Sequence, residues 1–349
     1  MTSPDLSALS GFPGRPEVRP VRAPGPRPEA AALRSAYLEL LKLVLCDLTA
    51  TTTVSVGKWE DGTVTSRELR GEQLRVRAAG MDWPMQGLSM VGLNRLDDLQ
   101  RCVEAVVRDD VKGDLIEAGA WRGGASILIR ATLDAHGAGR TVVVADSFQG
   151  FPVADEQGRL SDVDFLAVPE EEVRANFARF GLDDGVRFVP GYFEDTLPAL
   201  HGERWSLIRM DGDTYEATWV TLSSLYGGLA PGGYVIVDDY RALTECGRAV
   251  DDFRERHGIE EPLEDVDWTC VRWRRTSDAP FEAVPPPATA PTRTQAPERV
   301  GTGLPRSERE IELAAEVAEL RARLERAERA AGAPHRRLLA RLGRLRRRS

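Results

Sequence analysis

Two pairs of aspartates stand out as residues that could hold a metal ion. Asp211 and Asp213 are separated by one glycine, Asp238 and Asp239 are adjacent, and each pair directly follows a short apolar run. If these runs are neighbouring parallel strands, which lie about 5 Å apart, their ends bring three carboxylates together. Two negative charges about 4 Å apart repel by about 4 kcal/mol at an effective dielectric of 20, so a proton or a cation must relieve the repulsion. Oxygen ligands without histidine or cysteine suit Mg²⁺, Ca²⁺ or Mn²⁺, and the alternative is ordinary surface charge.

A glycine-rich turn from Gly119 to Gly124 offers a second site. It follows the apolar run 114–116 and an acid, Glu117. Dinucleotide-binding turns of the form GxGxxG use a central glycine to approach a pyrophosphate, and Trp121 occupies that position here. A carboxylate at Glu117 would repel a pyrophosphate but attract a sulfonium ion. The turn therefore favours S-adenosylmethionine over NAD as the ligand, and the alternative is a plain strand-to-helix turn.

Two further positions fit the nucleoside part of such a ligand. Asp146 ends the apolar run 141–145, and a carboxylate there can accept both hydroxyls of a ribose. The alternative is a cap for the backbone of Ser147 and Phe148. Phe193 follows a later strand and could flank an adenine ring, and the alternative is a core aromatic.

The region before these motifs has less pattern. Residues 50–80 are polar and weakly patterned, and we expect residues 50–90 to form a lid that dries the pocket. Trp83, between Asp82 and Pro84, is a loop aromatic that could cover a ligand, and the alternative is a buried anchor. The four histidines are scattered without the spacing of metal ligands, so none is expected to hold a metal.

The pattern of apolar segments predicts the elements that position these residues. Short apolar runs alternate with helical periodicity, which is typical of an α/β doubly wound fold, a largely parallel sheet with helices on both faces. Crossovers in such sheets are right-handed, so the strands end at one edge, where ligands bind. The predicted strands are 114–118, 141–145, 186–189, 206–210 and 234–237, followed by a final stretch 268–274. The predicted helices are 31–48, 93–108, 124–135, 171–180, 216–226 and 246–256.

Composition divides the chain into four parts. Residues 1–30 and 277–306 are rich in proline and poor in apolar residues, which predicts disorder, whereas residues 31–276 are sufficient for one core. Residues 307–349 are predicted to form a helix with a basic tail, because apolar residues step by 4, 3, 4 and 3 along about two heptads of a coiled-coil seam. These residues are Leu313, Val317, Leu320, Leu324 and Ala327. Two heptads are short for a stable pair, so the alternative is a solvated, partly formed helix.

Charge and cysteine content exclude several classes of protein. The net charge is −9 although the final fourteen residues contain seven arginines and no acid, so the body is acidic and no nucleic-acid partner is expected. Four widely separated cysteines indicate buried thiols in a reducing compartment. The sequence contains no run of eighteen apolar residues, so no membrane span is expected, and the first thirty residues lack an apolar signal region. We therefore expect a cytoplasmic protein.

Taken together, these residues resemble the macrocin and mycinamicin sugar O-methyltransferase family. The likeness covers roughly residues 30–275, and its motifs are specific as a set. The motifs are 90–97 (MVGLNRLD), 113–126 (GDLIEAGAWRGGAS), 142–152 (VVVADSFQGFP), 186–198 (VRFVPGYFEDTLP), 209–218 (RMDGDTYEAT) and 229–240 (LAPGGYVIVDDY). The resemblance implies a class I methyltransferase fold, S-adenosylmethionine as donor, Mg²⁺ as cofactor, and a sugar hydroxyl of a glycosylated natural product as acceptor.

The resemblance also assigns residues to parts of the site. It implies Asp211, Asp238 and Asp239 as metal ligands, with Asp211 first and Asp213 second as the base that takes the proton. It matches Glu117, Gly119 and Asp146 to cofactor contacts. The other residues that we expect to contact the cofactor are Ala120, Trp121, Arg122, Ser126, Ser147 and Phe193. The residues expected to contact the acceptor, a small-molecule glycoside, are Trp83, Met90 and Tyr240. A homo-oligomer and a protein partner for the terminal helix are further expectations.

Two rival functions stay open at this point. Asp211 and Asp213 fit the DxD pattern that holds Mn²⁺ and a nucleotide sugar in glycosyltransferases, but this function leaves Glu117 and the Asp238–Asp239 pair without roles. In the second rival, the terminal helix is the working part and the body is a scaffold without chemistry. Fold class alone does not decide between them.

Overall fold

A computed structural model describes residues 29–58, 64–150, 166–278 and 281 of the chain. Within these ranges, no helix has the length and apolar character needed to cross a membrane. The strands are β1 Thr52–Lys58, β2 Val64–Arg70, β3 Trp83–Pro84, β4 Asp114–Ala118, β5 Val142–Asp146, β6 Val186–Pro190, β7 Trp205–Met210, β8 Leu229–Val237, β9 Glu264–Asp265 and β10 Val271–Arg274. The helices are α1 Ala30–Leu45, α2 Leu74–Ala78, α3 Gly92–Arg108, α4 Gly124–Ala135, α5 Glu170–Arg179, α6 Phe193–Thr196, α7 Tyr215–Leu225 and α8 Thr244–His257.

The central sheet has seven strands in the order β6-β5-β4-β7-β8-β10-β9. The first five are parallel to one another, whereas β10 runs antiparallel to β8 and β9 runs antiparallel to β10. Ala118 at the end of β4 pairs with Ala145 on one side and Met210 on the other. Met210 in turn pairs with Val237, so the strands end level with one another. The prediction of a mostly parallel α/β sheet is confirmed.

Helices cover both faces of this sheet, because successive side chains of each strand point to opposite faces. Leu115 of β4 belongs to a core that includes Ile127 of α4. Its neighbour Ile116 belongs to the opposite core, with Trp219 of α7 and Phe253 of α8. Strands buried on both faces read as continuous apolar runs, which is why the sequence reveals them.

The N-terminal region contains more regular structure than the sequence indicates. β1, β2 and β3 form a second, antiparallel sheet in the order β2-β1-β3, where we expected a weakly patterned lid. The buried guanidinium of Arg77 in α2 donates to both carboxylate oxygens of Asp82 at 2.8 Å. It also donates to the Val54 carbonyl at 2.9 Å. This arginine therefore ties α2 and the approach to β3 to the middle strand of the sheet.

The boundaries of the body differ slightly from the prediction. β8 begins at Leu229, earlier than the predicted 234, and the final stretch forms β10 as an antiparallel strand. Phe281 packs against Tyr226 and Phe253, with ring centroids 5.4 and 5.7 Å apart, so the chain still follows the body beyond residue 276. The predicted disordered N-terminal stretch, apart from residues 29 and 30, and the predicted terminal helix lie outside the described residues.

Candidate active site

The ends of β4, β5, β7 and β8 meet at one edge of the sheet and are tied by backbone hydrogen bonds. The amide of Gly119, just past β4, donates to the Ala145 carbonyl at 2.8 Å. The amide of Asp211, just past β7, donates to the Ala118 carbonyl at 2.8 Å, and that of Asp238 donates back to β7 at 3.0 Å. The glycine turn and the acids that follow the strands therefore lie side by side.

Three carboxylates converge at this edge. One oxygen each of Asp211, Asp213 and Asp239 lies within 4.8 Å of the other two. Asp213 has a left-handed backbone conformation with φ 60°, which is uncommon for a residue other than glycine. The next residue, Thr214, caps α7 by accepting from the Ala217 amide at 3.1 Å. Backbone outliers of this kind concentrate at functional sites.

The crowding of negative charge changes the acidity of these side chains. Desolvation, followed by repulsion from Asp238, raises the pKa of Asp211 well above its ordinary value. Desolvation, followed by repulsion from Asp213, does the same to the pKa of Asp239. The side chain of Asp211 is nevertheless 25% exposed, so a ligand can reach the group. A proton or a bound cation would relieve the repulsion.

The spacing of the three oxygens fits a divalent cation. Opposite ligands of Mg²⁺ stand about 4.2 Å apart and those of Ca²⁺ about 5 Å apart, from bond lengths of about 2.1 and 2.5 Å. Because the oxygens of Asp211, Asp213 and Asp239 are all within 4.8 Å of one another, small side-chain adjustments bring them to one ion. A donor set made only of oxygen suits Mg²⁺, Ca²⁺ or Mn²⁺.

Asp238 lies behind this group and not within it. Its side chain is 4% exposed; Oδ2 accepts from Arg95 of α3 and Oδ1 accepts from Arg209 of β7. Among the described residues, the group that could hold a metal contains Asp213 where the resemblance implies Asp238. The physical reason is that successive side chains leaving a strand diverge, so Asp238 turns inward while Asp239 reaches the cluster.

Buried Arg209 connects the acids of neighbouring strands. Nη1 donates to Glu117 of β4 at 2.5 Å, and Nη2 donates to Asp211 at 3.1 Å. Glu117 is 1% exposed, and its second oxygen accepts from the Ser126 hydroxyl of α4. Burial raises the pKa of Glu117, while the charge of Arg209 opposes that shift. Glu117 and Ser126 form an internal network below the turn, and their contact with the cofactor stays a prediction.

The glycine turn packs closely against the end of β7. Gly119 has φ 93°, and a Cβ at this position would lie 2.0 Å from the Asp211 carbonyl oxygen, so only glycine fits. Trp121 has φ 49°, which is rare for a bulky residue. The turn and the acid cluster are therefore in direct contact.

Asp146 at the end of β5 holds this turn in place. Its Oδ2 accepts from the amides of Ala120 and Trp121 at 2.7 and 3.1 Å. Its Oδ1 accepts from the Phe148 amide at 2.8 Å, so the capping alternative is present in the structure. A carboxylate has about four acceptor sites, which leaves one position for a ribose hydroxyl.

Two other expected cofactor contacts point elsewhere. Nη1 of Arg122 lies within 3.1 Å of the carbonyl oxygens of Pro84, Met85 and Gly87. The Ser147 hydroxyl donates to a carbonyl of its own turn at 2.7 Å. Both side chains therefore organise the chain around the pocket.

The sequence profile of the macrocin-O-methyltransferase (TylF) family matches residues 33–275. This range includes the acid cluster, the glycine turn and every strand of both sheets. The chain belongs to this family.

Relatives with assigned activities match over nearly their whole length. The 8-demethyl-8-(2,3-dimethoxy-alpha-L-rhamnosyl)-tetracenomycin-C 4'-O-methyltransferase of Streptomyces olivaceus is 48% identical over 255 residues, which are 70% of this chain and 94% of that protein. The mycinamicin III 3''-O-methyltransferase of Micromonospora griseorubida is 40% identical over 253 residues, 69% of this chain and 96% of its own. The solved structure of the O-methyltransferase NovP matches with a TM-score of 0.62 and 42% identity, and the match covers 70% of this chain and all of NovP (100%).

Membership in the macrocin-O-methyltransferase family decides between the functions that the sequence left open. The chain is an O-methyltransferase with the fold of S-adenosylmethionine-dependent enzymes, as the resemblance implies. The relatives give no support to a glycosyltransferase. A body that serves only as a scaffold is likewise excluded by this membership.

The structure also locates the four aromatic and methionine residues that we expected near the acceptor or the adenine ring. Trp83 and Met90 are half-buried, and they are the first and last residues of the segment 83–90, which precedes α3. Tyr240, past β8, donates its hydroxyl to an aspartate of α8 at 2.7 Å. Phe193 opens α6, and its ring lies 3.3 Å from where a Cβ on Gly212 would stand. Phe193 therefore borders the aspartate turn, whereas Tyr240 is held toward α8.

Two buried arginines of this methyltransferase are the residues that sequence reasoning missed. Arg95 forms an ion pair with Asp267 at 3.0 Å in addition to its contact with Asp238. A signal for Arg209 existed, because a charge inside an apolar strand is costly unless it is paired. Arg95 gave a weaker signal, since its partner Asp238 lies 143 residues away in the sequence.

Proposed function

We propose that the protein transfers a methyl group from S-adenosylmethionine to a hydroxyl of a sugar on a natural product, assisted by a divalent cation. The acceptor class follows the relatives, whose names specify a rhamnosyl-tetracenomycin and mycinamicin III. The observation that carries the proposal is the contact between Gly119 of the glycine turn and Asp211 of the acid cluster. A donor at the turn and a cation at the cluster would be neighbours, which in-line transfer requires.

We place the donor, S-adenosylmethionine, over the glycine turn at the carboxyl edge of the sheet. Gly119 carries no side chain, so the backbone can approach a ligand closely. Asp146 has one acceptor position left for a ribose hydroxyl, and Phe193 is the aromatic residue assigned to the adenine ring. Glu117 contributes indirectly, because it fixes Arg209 beneath the site.

Mg²⁺ is the cation that we assign to Asp211, Asp213 and Asp239. The three carboxylates provide the oxygen ligands that this ion prefers. When bound, it would lower the pKa of a sugar hydroxyl that it contacts. Asp238 supports the group from behind, where Arg95 and Arg209 compensate its charge.

The residues of the chain orient the acceptor and take one proton. As the acceptor oxygen forms its bond to the methyl carbon, the carbon–sulfur bond breaks and the hydroxyl proton must leave. Asp211 lies at the proposed cation site, where the acceptor hydroxyl would be held, so we assign it this role, with Asp213 second. Arg209, which donates to Asp211 at 3.1 Å, fixes the direction of that carboxylate. The donor loses its positive charge during transfer, so exclusion of water by residues 83–90 would favour the reaction.

We also propose a reducing, cytoplasmic compartment for the enzyme. The four cysteines are free thiols and buried, which agrees with the expected reducing, cytoplasmic compartment. Self-association and a protein partner for the terminal helix are further parts of the proposal.

Mass spectrometry of candidate glycosides incubated with the protein and S-adenosylmethionine tests the proposed function. We expect one methyl group to be added to the sugar when Mg²⁺ is present and the addition to be lost in chelator. Asp211→Asn is expected to abolish the product, while Asp183→Asn, at an exposed position, leaves it unchanged. Methylation of the aglycone alone contradicts the sugar assignment, and full activity in chelator contradicts the cation.

A further inference from the structure

Residues 83–90, which we name the cover segment, join the N-terminal elements to the methyltransferase core. The segment carries Trp83 and Met90, which are assigned to the acceptor side. On one side its amides bond to N-terminal elements: Met85 donates to β1 at 2.9 Å, and Leu88 donates to the end of α1 at 2.8 Å. The opposite side of the cover segment faces the glycine turn.

Arg122 of the glycine turn contacts the carbonyl groups on that opposite side. Its Nη1 lies 3.1, 3.1 and 2.9 Å from the carbonyl oxygens of Pro84, Met85 and Gly87. The guanidinium carbon also lies 4.2 Å from the centroid of the Trp121 ring. The guanidinium is therefore held between an aromatic face and three carbonyl dipoles.

The backbone at Arg122 is fixed by contacts from α5 and from the end of β5. Asn176 of α5 donates to the Arg122 carbonyl at 3.0 Å, and the preceding amide of Trp121 donates to Asp146 at 3.1 Å. One backbone bond, from the Gly124 amide to the Leu88 carbonyl at 3.0 Å, runs beside the guanidinium contact. A ligand that occupies residues 119–122 would therefore act on the cover segment through Arg122.

We propose that Arg122 is a positioning residue that couples occupation of the glycine turn to ordering of the cover segment over the acceptor. The inference rests on the proposed function, because it takes the turn to be the donor site. It replaces the expectation that Arg122 contacts the cofactor. Lysine cannot reproduce the arrangement, because a single ammonium group cannot stack flat on Trp121 while it bridges three carbonyls.

Hydrogen exchange with and without S-adenosylhomocysteine measures this coupling in the absence of turnover. In the wild-type protein we expect the ligand to slow exchange of the amides in residues 83–90 by about tenfold or more. In Arg122→Met we expect the ligand to bind within about threefold of the wild-type affinity in calorimetry, while the protection is lost. The KM for the glycoside should rise about tenfold, and kcat should change less.

Two variants make the comparison specific. Arg174→Met is the matched control, since Arg174 also stacks on an aromatic ring, that of Phe188 at 4.0 Å, but pairs with Glu170 of its own helix. This control should keep the protection of the cover segment. Arg122→Lys keeps the charge without the planar geometry, and it should show less than about half of the wild-type protection.

Three outcomes overturn the proposal. The first is full protection of residues 83–90 in Arg122→Met, and the second is loss of ligand binding in that variant, which would make Arg122 a cofactor contact. If Arg122→Met does not fold, Arg122→Lys carries the test, and unchanged protection there is the third. Failure of the wild-type protein to bind S-adenosylhomocysteine would instead contradict the proposed function.

Discussion

Arg209 of β7 and Glu117 of β4 lie opposite each other on paired strands, with 2.5 Å between Nη1 and Oε1. Both side chains are almost fully buried, 2% and 1% exposed. Arg209 also donates to Asp211 and Asp238. The buried guanidinium of Arg209 therefore compensates the charge of acids on both sides of the proposed site.

Replacement of Arg209 by methionine should destabilise the protein by about 3–5 kcal/mol, because it leaves buried acids without their counter-charge. Adding Glu117→Gln should recover part of this loss, since the second change removes one uncompensated charge. Urea unfolding followed by circular dichroism measures both effects. A loss below about 1 kcal/mol would place the pair on the scale of a surface salt bridge and would contradict its importance.

Asp213→Asn and Asp238→Asn should affect metal binding and protein stability in opposite ways. Loss of a proposed ligand in Asp213→Asn should weaken Mg²⁺ binding by about tenfold or more with little change in unfolding free energy. Asp238→Asn should mainly lower stability, because it weakens the contacts of Arg95 and Arg209. Calorimetric metal titration and thermal unfolding of the two variants provide the comparison. The reverse pattern would restore Asp238 as a ligand in place of Asp213.

Metal affinity should fall as the pH is lowered. Desolvation and neighbouring acids raise the pKa of Asp211 and Asp239, so the metal-free site keeps protons at pH values where an ordinary aspartate has lost them. A cation must displace those protons, so its affinity should decrease as the pH falls through a range well above that in which an ordinary aspartate titrates. Titration in two buffers of different ionisation enthalpy should record proton release. An affinity that is flat over this range, with no protons released, is the contrary result.

Gly119→Ala should disturb the donor turn and the acid cluster together. A Cβ at Gly119 would meet the Asp211 carbonyl at 2.0 Å, so β7 or the turn must move. Gly137→Ala is the control for backbone strain alone, because Gly137 has φ 65° with no neighbour within 4 Å. We expect the control to cost about 1 kcal/mol and to keep S-adenosylhomocysteine binding, which Gly119→Ala should lose. Equal effects of the two changes would mean that the close approach is unimportant.

The ends of the parallel strands could be predicted from the sequence, because these strands are buried on both faces. Val142–Ala145 and Leu207–Met210 are apolar on both faces, except for Arg209, and each run ends at an acid. Parallel order then brings those acids to one edge. β1 and β2 were missed because polar residues interrupt their apolar ones, buried in β1 (Thr53, Ser55) and exposed in β2 (Ser66, Glu68). Neither strand therefore gives a helical period or an apolar run.

The direction of the acid side chains could not be predicted in the same way. Asp238 and Asp239 are neighbours in sequence, yet one faces two arginines and the other faces the cluster. That choice depends on Arg95, which α3 brings in from a distant part of the chain. The partners of Arg122 and Glu117 within the protein could not be predicted either, because they are set by tertiary packing and not by local pattern.

The position of a bound cation tests the account most directly. Crystals grown with Mn²⁺ and S-adenosylhomocysteine would show the metal by its anomalous scattering. We predict a peak about 2.2 Å from carboxylate oxygens of Asp211, Asp213 and Asp239, with the nucleoside against the turn at Gly119. A metal bound by Asp238 without Asp213, or a ligand bound away from that turn, would contradict the account.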